Sequence, residues 1–311
     1  MQQIDMIKSF SDIDAIAEGT RPLRLAAMAA DEKEFLLTVK IAAEKGYVLP
    51  RIIGEREKIL RAAQDIAFDL SGVEISEVKD PQTIADTGIG LLFGGQVDIA
   101  MKGHIPTAFV YRSIIRNERK IGGKKTISVN TLWDVPDSEH LITITDTGVS
   151  IAPGYETKRT ILADAVNLMR LLGYELPKVL VLSATGIREG RDGLSGDRSS
   201  LKADAEHGDF GPCEVLEATS LWDLSLPRES LAPAMKDASP VPAPHVFLVP
   251  HLDAGNILSK LDFILDVIRR SLVMTSRGPV IIPSRSDTHQ TIVGEIALGV
   301  VVAQRLQEAS P

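Results

Sequence analysis

Short β-branched and aliphatic runs alternate with helical patterns along almost all of this 311-residue chain, and this alternation constrains its fold more than any other feature. Leu23–Met28 reads as a strand, and DEKEFLLTVKIAAEKG then reads as a helix with Asp31 as N-cap, Glu34 as capping-box partner and Gly46 as stop. A strand at Arg51–Ile53, a helix from Glu55, a strand at Val73–Val78, a helix from Pro81 and a strand at Val97–Met101 continue the rhythm. A second set gives strands near Ile127–Leu132 and Leu141–Thr145, a helix at Lys158–Leu172, and strands at Lys178–Ser183 and His245–Val249. A helix at Ala254–Arg270, a strand at Pro279–Ile282 and a last helix near Thr288–Leu306 close it. Alternation with short connections predicts an α/β fold with mainly parallel sheets and helices on both faces. Proline and acidic residues interrupt the pattern at Trp133–His140. The expected division is therefore residues 1–137 plus 286–311 as a first α/β domain and 138–285 as a second, with the last helix returning to the first.

Composition narrows the function classes. A net charge of -8 argues against broad nucleic-acid binding, which needs a concentrated basic face, although a local basic pocket for a small anion is compatible with it. Cys213 is the only cysteine, so no intrachain disulfide can form, as suits a reducing cytoplasm. No basic stretch followed by an apolar one opens the chain, and runs such as Ile296–Ala303 are too short to span a bilayer. A cytoplasmic protein with no membrane partner is expected. The six histidines lack metal-ligand spacing, so no metal site is expected, and neither a GxSxG elbow nor a Walker A sequence is present. GIGLLFG, at 88–94, has GxGxxxG spacing inside a helical pattern, which makes a poor dinucleotide fingerprint.

Four polar strand exits carry the chemistry, because open α/β sheets bind ligands at the carboxyl ends of their strands. IIPSRSDT ends an apolar strand in Ser284, Arg285, Ser286, Asp287 and Thr288. A helix cap would need only one short polar side chain, not an adjacent arginine. MKGHIPT offers the Lys102 ammonium, a Gly103 that allows close backbone approach, and a following helix whose N–H groups suit a phosphate. HLDAGN places Gly255 and Asn256 at a helix start, and DTGVSIAP presents Asp146 and Thr147. Residue by residue, blander readings stay open: Lys102 as an exposed loop lysine, Asp253 as an ordinary cap, and Arg112 as a surface side chain paired with Glu118 or solvent.

Taken in order, MKG, TAFVYR, TDTGVSIAP, LVPHLDAGN and PSRSD resemble the phosphate acetyltransferase and phosphate butyryltransferase family, the butyryl branch more closely. The resemblance covers most of the chain. It implies two α/β/α domains of isocitrate/isopropylmalate dehydrogenase-like architecture, an active site in the cleft between them, and a homodimer. No tightly bound cofactor is implied, with coenzyme A as a substrate. The family's Ser-Arg pair corresponds to Ser284 and Arg285, whereas Ser276 and Arg277 precede the strand and form a decoy. Its phosphate-binding helix arginine corresponds to Arg112 in the Thr107–Arg112 spacing, its Lys-Gly exit to Lys102 and Gly103, and its AGN turn to Ala254, Gly255 and Asn256.

The resemblance thus implies reversible transfer of a short acyl group (butyryl, acetyl or branched) between coenzyme A and inorganic phosphate, with acyl phosphate as the other product. Ser284 would face the oxyanion, Arg285, Arg112 and Lys102 the phosphate, and Asp287 the thiol proton, with Asp146 counted among the binding residues. The sequence departs from the family pattern at LEATSL, 216–221, in the arginine-rich stretch 186–200, and in an aspartate closer to the serine than acetyl-type members have. The alternatives are a metal-dependent decarboxylating dehydrogenase of similar architecture and a catalytically impaired paralogue that binds CoA or acyl phosphate.

Overall fold

The computed structural model describes residues 5–123, 125–136, 138–183, 193–217, 243–284 and 286–309, with the backbone alone at 193–196. The chain forms two compact units, Ser9–Ile127 with Arg269–Pro311 and Met1–Lys8 with Ser128–Ile268. Compared with the expected division, 1–8, 128–137 and 269–285 change sides. For the latter two the cause is local: the strand that begins near 128 pairs with the strand after His140, and the strand after Ile268 forms a hairpin with the one before Ser284.

In the first unit the described elements are α1 (Phe10–Gly19), β1 (Leu23–Met28), α2 (Lys33–Glu44), β2 (Val48–Gly54), α3 (Arg56–Asp65), β3 (Glu74–Glu77), α4 (Pro81–Phe93), β4 (Ile99–Lys102) and α5 (Thr107–Lys120). The second unit contributes β5 (Val129–Asp134), β6 (Ile142–Thr145), α6 (Tyr155–Leu171), β7 (Lys178–Val181), α7 (Gly193–His207), β8 (Glu214–Val215), β9 (Val246–Leu248) and α8 (Leu252–Leu258). The chain then re-enters the first unit through β10 (Ile268–Met274), β11 (Pro279–Ile281) and α9 (His289–Ala309).

The first unit's strands run in the order β3-β2-β1-β4-β11-β10, parallel except for the antiparallel β10–β11 hairpin. All four residues of β4 are buried, as a strand covered on both faces requires. The last helix, α9, packs on α1, α2, β4 and β11, so the run Ile292–Ala303 is buried all round. Gly299 permits this approach, since a Cβ there would lie 3.1 Å from the Ile281 side chain. In the second unit the order is β5-β6-β9-β7-β8, antiparallel only at β5–β6, around a core of Trp133, Ile144, Leu180, Phe247 and Val249.

Two local expectations are corrected. The helix expected at 254–270 ends at Leu258 and is followed by a single 3-10 turn at Leu261–Phe263, while IRRSLVM forms β10. Apolar spacing in short runs does not distinguish helix from strand, and here hairpin pairing with β11 decides. Thr275 seals that hairpin, its hydroxyl donating to the Gly278 carbonyl at 2.7 Å. The helix after β1 starts at Lys33 with Glu32 as N-cap and no side-chain cap bond, so Asp31 and Glu34 form no capping box. Gly46, at φ 75°, does stop it. Of the stretch 186–200, residues 193–200 belong to α7 and 186–192 lie outside the described residues, as do 239–242 and 218–221.

Candidate active site

Three parallel strand ends meet in the first unit. Met28 of β1 pairs with Lys102 of β4, and Ile281 of β11 pairs with Met101, so the MAA, MKG and PSRSD exits lie on neighbouring strands, about 4.8 Å apart. The first two exits are joined through their backbones: the Gly103 N–H donates to the Met28 carbonyl at 2.6 Å, and the His104 N–H to the Ala29 carbonyl at 2.9 Å. A Cβ on Gly103 would sit 2.2 Å from the Ala29 oxygen, so glycine is required here by a neighbouring strand end. Ala29 itself has φ 51°, an uncommon conformation for a residue with a Cβ, which turns the chain at this exit.

Lys102 is only 8% exposed, which overturns the exposed-lysine reading, and its Nζ donates to the Gly103 carbonyl at 3.2 Å. Beyond it, α5 begins at Thr107 with Pro106 in the N-cap position and no side-chain cap bond. That helix start can present backbone N–H groups to an anion. Arg112 is exposed and aligned by Gln82, whose Oε1 accepts from its Nη1 at 2.7 Å; the guanidinium also lies 5.4 Å from the Phe109 ring centre. Gln82 is held in turn by its Nε2 donating to Asp86 at 3.0 Å and to Ser113 at 3.1 Å. Glu118, a partner open to Arg112 on sequence alone, instead accepts from the Ser276 N–H and hydroxyl, both at 2.7 Å.

At the third exit, one Asp287 oxygen accepts the Ser284 N–H at 2.6 Å, and the Asp287 N–H returns to the Ser284 carbonyl at 3.1 Å. The other oxygen is paired with Arg269 of β10, and the two side chains are 0% and 10% exposed. Asp287 thus ties the exit down from below. The Ser284 hydroxyl lies 3.2 Å from that of Ser286. Thr288 caps α9, its hydroxyl accepting the Thr291 N–H at 3.2 Å, so the helix needs neither Ser286 nor Asp287 for that purpose. Arg285 lies outside the described residues.

Directly behind this exit Glu295 of α9 is fully buried, with one oxygen accepting the Ser271 N–H at 3.0 Å. Burial raises its carboxyl to about 8, and the nearby Asp287 pushes the same way against the opposing pull of Arg269 and Arg270. Sequence reasoning missed Arg269, Glu295 and Gln82. Glu295 did carry a signal, an acid within the otherwise apolar run IVGEIALGVVVA, whereas Arg269 was concealed by the mistaken helix.

The second unit presents a different pair of exits, on the adjacent parallel strands β6 and β9. Asp146 is buried and accepts four backbone N–H groups, from Val129 at 3.0 Å, Gly148 at 2.9 Å, Val149 at 3.2 Å and Ser150 at 2.7 Å. Its carboxylate is therefore used in building the turn. Asn256 reaches the Thr147 carbonyl at 3.3 Å, and a Cβ on Gly255 would lie 2.3 Å from the Asp146 carbonyl oxygen. His251, not Asp253, caps α8, accepting the Ala254 N–H at 3.3 Å.

The structure therefore groups Lys102, Gly103, Thr107, Arg112, Ser284 and Asp287 on one unit, and Asp146, Ala254, Gly255 and Asn256 on the other. Among the described residues, no three His, Cys, Asp or Glu side chains are placed to hold a metal ion. Cys213 is half-buried, and burial pushes its thiol up to about 11, a poor setting for a nucleophile.

A family model described as Phosphate acetyl/butaryl transferase matches residues 76–300. Phosphate butyryltransferase of Clostridium acetobutylicum is 25% identical over 299 residues, spanning 96% of this chain and 99% of that protein. Phosphate acetyltransferase of Rhizobium meliloti is 28% identical over 271 residues, 86% of this chain and 85% of its own. Among solved structures, a branched-chain phosphotransacylase from Enterococcus faecalis V583 aligns with a TM-score of 0.75 at 21% identity, covering 90% of this chain and 99% of that one, and so shares the fold.

Proposed function

Because the chain belongs to the phosphate acetyl/butyryl transferase family, a family of acyltransferases, we propose that it catalyses the reversible reaction of a short-chain acyl-CoA with inorganic phosphate to give acyl phosphate and CoA. The observation that carries this reading is the adjacency of the MKG and PSRSD exits on β4 and β11, which concentrates cationic and hydroxyl groups at one sheet end.

In the forward direction a phosphate oxygen attacks the thioester carbon, the C–S bond breaks, and the proton of hydrogen phosphate passes to the departing thiolate. Lys102, Arg112 and Arg285 neutralise phosphate, with Thr107 and the first N–H groups of α5 as further donors. Ser284 donates its hydroxyl to the oxyanion that develops on the thioester carbonyl. Asp287 takes a positioning role in place of the base role expected from the sequence, because its oxygens already serve Arg269 and the Ser284 N–H. In the second unit the Asp146 turn and the Ala254–Asn256 turn supply a shaped backbone for coenzyme A. No covalent acyl-enzyme is required, so Cys213 has no part. A homodimer in a cytoplasmic setting, with no tightly bound cofactor, completes the proposal; among the described residues no helix is long and apolar enough to cross a membrane.

The test is thiol release from acetyl-, butyryl- and isobutyryl-CoA in phosphate buffer. Turnover is expected on at least one ester, and it should fall by about 10²-fold or more in Ser284→Ala, as for loss of one oxyanion donor, and in Arg285→Ala. An inert wild type, or variants at full rate, would sink the reading. Tight CoA binding without turnover would instead identify the impaired paralogue.

A further inference from the structure

Behind the Ser284–Asp287 exit three acids meet two guanidinium groups among the described residues, and the side chains of two of those acids, Asp287 and Glu295, are buried. Arg270 is committed to Asp14 of α1 by two hydrogen bonds of 2.8 Å and lies 4.4 Å from the Phe10 ring. It is also pressed against α9, since a Cβ at Gly294 would be 2.6 Å from its Nε. Arg269 is committed to Asp287. The third acid of the group is Glu295, next to Gly294 in α9, with one oxygen on the Ser271 N–H and the other without a hydrogen-bond partner among the described residues. Asp14, Asp287 and Glu295 thus face Arg269 and Arg270, and among the described residues a third carboxylate would have no guanidinium of its own. Such a group stays protonated until the cost of burying its charge is overcome, or until it takes a partner from a neighbour.

We infer that Glu295 is a positioning residue of the proposed transfer site: as a neutral acid it leaves Arg269 to Asp287, and as a carboxylate it competes for Arg269 and loosens the Asp287 clamp on the Ser284 N–H. The inference rests on the proposed function for its consequence in turnover, but not for its structural content. Burial and Asp287 place the ionisation of Glu295 at about 8, so the clamp holds at neutral pH and slackens above it. The thiol of CoA and the substrate phosphate also titrate, but they do so equally in the wild type and in a Glu295 variant.

Two measurements on the full chain test this. Amide hydrogen exchange of the segment around Ser284, corrected for intrinsic rate, should show wild-type protection falling at least fivefold from pH 7 to pH 9, and in Glu295→Gln it should stay within twofold. In parallel, the ratio of Glu295→Gln to wild-type turnover should rise at least threefold over the same interval. Flat protection in the wild type overturns the inference without any variant, and so does an equal fall in both proteins. Glu295→Met provides a second side chain that cannot ionise should glutamine disturb the fold. If neither protein turns over any acyl-CoA, the proposed function fails, and the exchange result alone then decides the role of Glu295.

Discussion

The exits of the two units both use a buried aspartate to fold a loop, but they hold it differently. Asp146 is surrounded by four backbone N–H donors, none of which titrates in water, so its turn is fixed by the main chain alone. Asp287 is held by one N–H and by Arg269, with a second acid, Glu295, behind the pair. The first arrangement makes a rigid shape and leaves the carboxylate nothing to offer a ligand. The second makes a charged platform that answers to its surroundings. The proposed transfer, which must grip a large nucleotide-bearing thiol and also stabilise a changing charge, has use for both.

Breaking the charged clamp should cost most. Arg269→Met leaves the Asp287 carboxylate buried and unpaired, and a loss of about 3–5 kcal/mol in denaturant unfolding is expected; a loss below about 1 kcal/mol would show that solvent reaches Asp287. Next, Asp146→Ala orphans four N–H groups in a buried turn. It should cost about 3 kcal/mol, partly recovered in Asp146→Asn, which keeps an acceptor oxygen. Equal losses for Ala and Asn would mean that the negative charge, not the hydrogen-bond count, holds the turn.

Gly103→Ala and Gly255→Ala sharpen the comparison, because the same clash with a backbone oxygen occurs in each unit. Each should destabilise by about 1–3 kcal/mol, as overpacking does, and Gly103→Ala should also lower kcat because it displaces Lys102. Unchanged kcat in a folded Gly103→Ala would separate Lys102 from the reaction. The smallest effect is expected of Gln82→Ala, which frees Arg112 to sample other rotamers: a rise of roughly threefold in KM for phosphate with little change in kcat, about 0.6 kcal/mol by the usual conversion.

Stability against pH separates the two clamps once more. The carboxyl of Glu295 is raised from its ordinary value of 4.5 to about 8 on folding, so the stability it contributes is complete below about 4.5 and is lost as pH rises through 8. Glu295→Gln, which cannot ionise, should therefore gain on the wild type in melting temperature as pH is raised from 5 to 8. A constant difference would place the Glu295 carboxyl at its ordinary value.

Much of this was legible in the sequence because parallel strands advertise themselves as short apolar runs, as at Leu23–Met28 and Ile99–Lys102. The MKG and SRSD exits were legible for the same reason, each beginning where such a run stops. Partnership was not legible. Asp146 and Asp287 look alike in sequence, each a polar residue after a strand, and only the fold distinguishes donors from the main chain from a guanidinium eighteen residues away. The misread helix at 254–270 has a related cause, since IRRSLVM becomes a strand through a partner that follows it in the chain. In the sequence Gly103 reads as a place for close backbone approach and Gly255 as the opening of a helix, whereas the fold fills the space beside them with the Ala29 and Asp146 carbonyls.

The placement of β11 and α9 carries a further consequence for the order in which a newly made chain can mature. Strand β11 closes against β4, and α9 against α1, α2 and β4, yet both are encoded after the whole of the second unit. While the ribosome is making residues 128–268, residues 9–127 wait with one sheet edge unpaired and an apolar face bare, and they become a finished unit only when the last 43 residues arrive. The second unit can condense in the meantime. Translation speed and chaperone cover through that interval should therefore bear on the yield of this protein.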